Sequence, residues 1–488
     1  MEPKINLSRE EIRAIYNQGE EAVVELIMSL VAEINALSEK VQNLEDRLAK
    51  TSNNSNKPPS SDGLSKPSPK SLRKRHERKN GGQVGHAGNT LKVVENPDQF
   101  ENHRVVECAN CHENLEEVKV ENHEKRQVFD LPPQVKMMVT EHQVEIKTCP
   151  HCGERNKASF PEGITQPVQY GPEIKALAVY LNQYQLIPLE RTVEILETLF
   201  GQAPTQASLV AACQEVGGQI QSVIDSIKAY ITERARVVHF DETGVRVEGK
   251  LHWLHSASTS QMTYYHIHTK RGHKAMNEDG ILPNLKGIAM HDGWKPYFRY
   301  KLRHALCNAH HLRRLKFLEE RYPQPWVTEM IEVLIRMKTA VEEAKQKGSE
   351  SPPLKLMDNL MRQYDNCVEN GYQSNPVPER IETEPKKRGR MKQSPARNLL
   401  DELNNRKSDV LMFINDLSVP FDNNLAERDI RMMKVKQKIS GCFRTTEGAQ
   451  TFALIRGYVS TARKNRINVM DALRHAFAGK PYFPDFVA

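Results

Sequence analysis

At 488 residues, with 69 Lys and Arg against 62 Asp and Glu for a formal charge of +7, the chain is too long for one hydrophobic core and implies about three domains at ~150 residues each. No apolar run approaches the ~20 residues a membrane helix needs, and the acidic, polar start MEPKINLSREE is no signal peptide, so a cytoplasmic, nucleoid-associated protein without membrane contact is expected. The modest net charge hides a local excess: residues 66–79 carry Lys66, Lys70, Arg73, Lys74, Arg75, Arg78 and Lys79 against Glu77, an arm for a polyanion.

Residues 1–50 read as a helix with a strict heptad. Val23, Ile27, Leu30, Ile34, Leu37, Val41, Leu44 and Leu48 alternate spacings of four and three, with Ile27, Ile34 and Val41 at a and Leu30, Leu37 and Leu44 at d. That distribution favours a parallel coiled-coil dimer, and the seam is narrower than the stripe of a helix packed on its own domain. From 51 to 91 the sequence is Ser-, Pro-, Gly- and charge-rich and cannot fold alone, so it reads as a tether carrying the basic arm.

Residues 92–165 hold Cys108-Ala-Asn-Cys111 and Cys149-Pro-His-Cys152-Gly, paired spacings that let four thiolates close one tetrahedral Zn²⁺ site. The gap between the pairs is long, the first lacks the Gly that follows the second, and His112 and His151 are substitute ligands. Between the pairs, alternation around Leu131-Pro132-Pro133 at Val135, Met137, Val139, Val144 and Ile146 predicts a hairpin. Residues 166–232 are helical by periodicity, with breaks near Pro188 and Gly201, and fit either a helix-turn-helix against DNA or a plain three-helix module.

The stretch RARVVHFDETGVRVEG then puts Asp241 at the end of a β-branched, apolar run, and GIAMHDGWKPY repeats the pattern at Asp292. Two strands that each end in Asp suggest a shared site for a hard cation, which prefers carboxylate oxygen. A third carboxylate, Glu427, lies about one turn inside a helix that starts near Pro420 and Asp422-Asn423-Asn424, with Asp422 as its cap. Between Asp241 and Asp292, KLHWLHSASTS and QMTYYHIHTK read as two more strands. A three-strand meander, a crossover and a fourth strand parallel to the first describe a ribonuclease-H-like sheet.

In order, SNNSNKPPSSD, GGQVGHAGNTL, CANC, CPHCG, YGPEIKALAVYLNQYQLIP, HFDETGVRV, MHDGWKPY, CNAHHLRRL, RGRMKQSPARNLLDEL and DNNLAERDIR resemble segments of the DDE transposases of the insertion sequence 66 family. Val84, where relatives often carry Pro, is a departure confined to the linker. The resemblance implies a multidomain α/β chain: coiled coil, zinc-binding module, helical DNA-binding module, and a ribonuclease-H-like catalytic domain over 233–445 with a mostly helical insertion at about 305–415. A helical segment over 446–488 closes the chain.

Helices in the insertion are expected over 309–319 and 325–347, with a surface loop over 376–395. The resemblance also implies that Asp241, Asp292 and Glu427 are catalytic and hold two Mg²⁺, or Mn²⁺, roughly 3.5–4 Å apart, for cleavage and strand transfer at terminal inverted repeats. Double-stranded DNA, as element ends and as target, is the implied partner, and helper proteins from the same element are further implied partners. Its phosphates would meet the arm, Arg388 and Arg390 in KKRGRMK, and Arg428, Arg431, Lys434, Lys436 and Arg444 beside Glu427. Cys307 and His310 have ligand spacing but no second pair in view. A regulator that lacks the chemistry, or a structure-specific nuclease of the same fold, are the other classes weighed.

Overall fold

A computed structural model describes residues 7–51, 54–55, 92–131, 135–377 and 393–485. The basic arm with Lys70, Arg73, Lys74, Arg75, Arg78 and Lys79, and Arg388 and Arg390 in the loop, lie outside the described residues. The chain divides into two compact units, Lys70–Pro161 with Ile195–Ala203, and the remainder.

In the larger unit, α1 (Arg9–Tyr16) opens on a Ser8/Glu11 capping box, and α2 (Glu20–Ala49) follows Gly19, whose φ of 110° breaks the helix between them. The heptad seam of α2 is largely bare: Ile27, Ile34, Leu37, Val41, Leu44 and Leu48 are all exposed. Its last turns are anchored instead through acidic side chains. Asp46 receives the Tyr322 hydroxyl and Gln42 Nε2, and Arg321 Nη2 donates to Glu45 Oε2 at 3.1 Å.

The smaller unit contains β1 (Ile146–Thr148) paired antiparallel with β2 (Arg155–Lys157). The hairpin therefore flanks the second cysteine pair and is not centred on Leu131-Pro132-Pro133; described residues 135–145 form no strand, and 132–134 lie outside the description. The reason is local: the Cys149–Gly153 turn brings residues 148 and 155 into register, which the Pro-Pro stretch, short of backbone donors, does not do for its flanks.

Helices α3 (Pro172–Val179), α4 (Leu189–Phe200), α5 (Gln206–Gln219) and α6 (Gln221–Glu233) follow, α3 running on through a π-helical turn at Tyr180–Tyr184. Pro188 and Gly201, with φ of 73°, bound α4 where the sequence places breaks. These helices do not stand apart from the sheet: α3 packs on α17 (Val469–Phe477), α5 on α16 (Thr446–Lys464), and α6 on both α16 and β5 (Thr263–His268).

The sheet runs β5-β4-β3-β6-β7, built from β3 (Val237–Val247), β4 (Lys250–Ser258), β5, β6 (Ile288–His291) and β7 (Arg303–Leu306). The first three form an antiparallel meander; β6 and β7 join parallel to β3. Short helices α7 (His273–Asp279) and α8 (Ile281–Asn284) make the crossover to β6. On one side Val245, Val247, Leu254, Tyr265 and Ile267 pack against Phe452 and Ala453 of α16 and against Ile430 and Met433 of α15 (Asn424–Ser440). Apolar residues at alternate strand positions cover one face, as a half-buried sheet requires.

Between β7 and α15 lie α9 (Asn308–Arg321), α10 (Pro325–Gln346), α11 (Leu354–Ser374), α12 (Pro395–Asn405), α13 (Lys407–Val410) and α14 (Met412–Asn415). Their core, including Trp326, Leu334, Tyr364 and Leu400, is continuous with Ile288 and Met290 of β6 and Leu306 of β7. No helix among the described residues is long and apolar enough to cross a membrane.

The junction of β3 and β6 depends on Gly287. A Cβ there would lie 2.2 Å from the Ala235 carbonyl oxygen, a backbone atom that cannot swing aside. Gly287→Ala is therefore expected to lower the urea midpoint by the equivalent of about 3 kcal/mol. Equilibrium unfolding with an unchanged m-value measures it.

Candidate functional site

The parallel ladder between β3 and β6 ends at the pair His239 and Met290. Asp241 and Asp292 each lie two residues beyond that pair, so the two carboxylates stand level where the strands part. β6 stops at His291, as the sequence suggests, but β3 does not end at Asp241. It continues to Val247 as the long arm of the β3–β4 hairpin, with Asp241 opposite Ser256, whose hydroxyl donates to the Asp241 carbonyl at 3.1 Å.

Asp241 accepts the Glu242 amide at 2.9 Å, and Asp292 accepts the Trp294 amide at 2.8 Å across a turn in which Gly293 has a φ of 87°. Burial first, then the charges of Glu242, Asp292 and Glu427, hold Asp241 well above the usual carboxylate range. Burial and the Glu242 charge push Asp292 up to about 6, against the lowering pull of the Trp294 amide and Arg271. Like charges crowded out of water favour protons until a cation replaces them.

Glu242 is itself engaged at both carboxylate oxygens. Arg271 Nε and Nη2 donate to its Oε1 at 2.9 and 2.7 Å, and the Tyr297 hydroxyl donates to Oε2 at 2.6 Å. The Arg271 guanidinium is in turn held between the rings of Trp253 and Trp294, at 4.9 and 4.1 Å from their centroids. Stacked and bidentate, it is fixed in direction as a Lys would not be.

Glu427 lies in the first turn of α15, as expected, and its charge reaches Asp241. The helix start differs in detail. The N-cap is Asn423, and Asp422 serves from one residue earlier by accepting the Asn424 amide at 3.2 Å. Asn423 is 2% exposed because its side chain is spent on the sheet: Nδ2 donates to the Phe240 carbonyl at 2.8 Å, and Oδ1 faces His239 Nδ1 at 2.7 Å. Glu427 Oε2 is 3.7 Å from Arg313 Nη2 and Oε1 is 4.0 Å from His310 Nε2.

Of the cations expected beside Glu427, Arg428, Arg431 and Arg444 are exposed. Lys434 is half-buried and donates to the Gly244 carbonyl of β3; burial lowers its pKa, and the Asp241 charge works against that. Lys436 covers the Phe443 ring at 4.2 Å.

In the smaller unit the two cysteine pairs fold alike. The Cys108 amide donates to the Glu113 carbonyl and the His112 amide to the Cys108 carbonyl; the Cys149 amide donates to the Glu154 carbonyl and the Gly153 amide to the Cys149 carbonyl. His112, with φ of 63°, occupies the left-handed position that Gly153 fills in the second turn. Backbone amides within each turn, those of Cys111 and Cys152 foremost, draw the Cys108 and Cys149 thiols below their ordinary range, which suits a thiolate ligand. Among the described residues, the group whose ligand atoms all lie within 4.8 Å of one another is neither the four cysteines nor the three carboxylates, but Cys307, His310 and Glu427.

A mixed sheet with Asp residues level on its two central strands, in a chain that also carries a cysteine-turn module, points to a class: enzymes that act on nucleic acid. Similarity to known families narrows it. Residues 167–451 match the transposase IS66 family, residues 107–153 the zinc-finger binding domain of transposase IS66, and residues 3–92 a family of unknown function. No curated protein matches. The chain belongs to the IS66 transposase family: it is a DNA-binding transposase of an insertion sequence, with a zinc-finger domain spanning both cysteine pairs. Sequence reasoning missed Arg271, Tyr297, His239 and Arg313 around this site. Two of the chain's three tryptophans, Trp253 and Trp294, lie near the Asp strands in the sequence and offered the one signal.

The raised carboxylate has a sign that can be measured. With its folded pKa at about 6 against an ordinary value of 3.8, Asp292 binds a proton more readily in the folded chain, so stability falls as pH rises from about 4 to 6. In metal-free buffer Asp292→Asn is expected to be more stable than wild type at pH 7, on the order of 2 kcal/mol, and equal to it near pH 4. Thermal melts at both pH values check it.

Proposed function

We propose that this transposase cuts the ends of its element and joins them to target DNA by divalent-metal-dependent phosphoryl transfer, with Asp241, Asp292 and Glu427 as the catalytic carboxylates of a ribonuclease-H-like core. The observation that carries the reading is the level placement of Asp241 and Asp292 beyond the His239–Met290 pair, with both pKa values raised. The sheet order, with meander first and parallel strands after, supports the fold name.

The donor set fits the metal. All three groups offer carboxylate oxygen, the choice of Mg²⁺ or Mn²⁺, and Glu427 Oε1 is buried without a hydrogen-bond partner. When bound, such ions lower the pKa of the attacking water or 3′-hydroxyl and neutralise charge on the leaving oxygen. The chain's own part is placement. Asp241 and Asp292 are oriented by the Glu242 and Trp294 amides; the Arg271–Glu242–Tyr297 cluster fixes the turn that carries Asp292; Asn423 sets the start of the helix that carries Glu427. Arg428, Arg431 and Arg444 are free to meet phosphates, and Lys434, already bonded to Gly244, stays beside Asp241.

Cys108, Cys111, Cys149 and Cys152 would close one structural Zn²⁺ site, the two turns moving together around it. The exposed seam of α2 would pair with a second copy, and the arm over residues 66–79 would bind phosphates without regard to sequence.

Asp241→Ala, Asp292→Ala and Glu427→Ala are each expected to lower Mg²⁺-dependent cleavage of an element-end duplex by several orders of magnitude while leaving end binding nearly intact. Asp422→Ala should lose only ~1 kcal/mol of stability. Retained cleavage in Glu427→Ala would remove Glu427 from the set, and cleavage without strand transfer in the wild type would make the protein a nuclease. Separately, Leu30, Leu37 and Leu44 replaced by Ser should lower the mass measured by light scattering; an unchanged mass rules out the parallel dimer.

A further inference from the structure

Cys307 follows β7 and caps α9, His310 lies in the first turn of that helix, and Glu427 lies in the first turn of α15. The three come together although 117 residues separate His310 from Glu427 in the chain, with their ligand atoms all within 4.8 Å of one another. Two of the polar atoms in this group, His310 Nδ1 and Glu427 Oε1, are buried and have no hydrogen-bond partner. A buried Cys alone is ordinary core, and a Glu beside an Arg is an ordinary ion pair. Neither accounts for two orphaned polar atoms in one three-residue cluster, each of which carries the full cost of desolvation.

The remaining geometry leaves a place for a cation beside the sulfur. Cys307 Sγ accepts the Asn423 amide at 3.1 Å, so the starts of two helices, α9 and α15, converge on it. Helix starts and amide donors stabilise a thiolate. Arg313 Nη2 lies 3.7 Å from Glu427 Oε2 and its Nη1 3.5 Å from His310 Nε2, which leaves Glu427 Oε1 and His310 Nδ1 without partners. Burial keeps the His310 ring neutral, its pKa held to about 3, so a nitrogen lone pair is available; burial also pushes the Cys307 thiol up to about 12, so it is protonated until a metal displaces the proton.

We propose that Cys307, His310 and Glu427 form a three-donor site for a thiophilic divalent ion of the zinc class, separate from the four-cysteine turns. Sulfur, imidazole nitrogen and one carboxylate oxygen are the ligands zinc takes with a fourth position left open, and Mg²⁺ prefers oxygen alone. Binding forms the metal–sulfur bond and releases the Sγ proton to solvent. No electron moves. Because Glu427 belongs to this set and to the set with Asp241 and Asp292, an ion here withdraws it from the catalytic shell, so zinc antagonises magnesium. That consequence rests on Glu427 being catalytic; the binding site does not.

Elemental analysis of the full chain after zinc loading and dialysis should find two zinc ions per chain in the wild type. Cys307→Ala, His310→Ala and Glu427→Ala should each hold one, as should Cys149→Ser, which loses the other site. His310→Ala guards against a folding defect in Cys307→Ala, whose residue is core, and circular dichroism confirms both folds. With Co²⁺ in place of zinc, the wild-type minus His310→Ala spectrum should show tetrahedral d–d bands. Added zinc should inhibit Mg²⁺-dependent cleavage, and the inhibiting concentration should rise roughly tenfold or more in His310→Ala. Equal zinc content in the wild type, Cys307→Ala and His310→Ala overturns the site. Glu427→Ala separates the two readings: loss of cleavage with full zinc content overturns this site and keeps the catalytic one, and loss of one zinc with cleavage intact does the reverse.

Discussion

The arrangement around Asp241 and Glu427 depends on one buried amide. Asn423 reaches three segments at once: the Phe240 carbonyl and His239 ring on β3, the Cys307 sulfur at the end of β7, and, through its own carbonyl, the Glu427 amide at 3.3 Å. With Nδ2 committed to a carbonyl, Oδ1 is the acceptor, and the His239 ring must present Nδ1–H. Burial keeps that ring neutral, so the contact is a neutral hydrogen bond whose bare Nε2 needs no counter-charge. Each partner is held by strand or helix backbone, so the amide has one orientation that satisfies it.

Around this pin the electrostatics are deliberately unbalanced. Glu242, nearest of the acidic neighbours to Asp241 in sequence, is neutralised by a stacked Arg271 that also lowers Asp292. Glu402, which receives Arg314 at 2.5 Å and His311 at 3.1 Å, is drawn to about 2 in spite of its burial. These two acidic residues are thus matched with cations from the chain. Asp241 and Asp292 are left raised and unmatched, the pattern expected where the missing charge arrives with a ligand.

How far the sequence foretold this depends on the range of the interaction. Val237, Val238 and Phe240 marked β3, Ile288 to Met290 marked β6, and Pro420 to Asn424 marked the start of α15, because each signal lies within a few residues of the feature it produces. The continuation of β3 past Asp241 escaped notice because Glu242, Thr243 and Gly244 look like a turn, and only the β4 register turns them into strand. Nothing near Glu242 in the sequence marks it as paired, since the Arg271 that occupies it comes 29 residues later. Cys307 and His310 read as half a site because their third donor is 117 residues away from His310. For 166–232, periodicity gave the helices but not their neighbours. The packing of α5 and α6 on α16 comes from residues near the far end of the chain.

The insertion also has a bearing on what the sheet can tolerate. β7 is the last strand on its side, and a terminal strand offers unpaired amides and carbonyls to any other extended chain. Here α13 and α14 lie against β7, and the core of α9 to α12 runs without a break into Ile288, Met290 and Leu306. Trimming this chain to a minimal sheet would strip both the sheath from its margin and the apolar floor beneath Asp292, leaving a sticky edge that recruits its own kind.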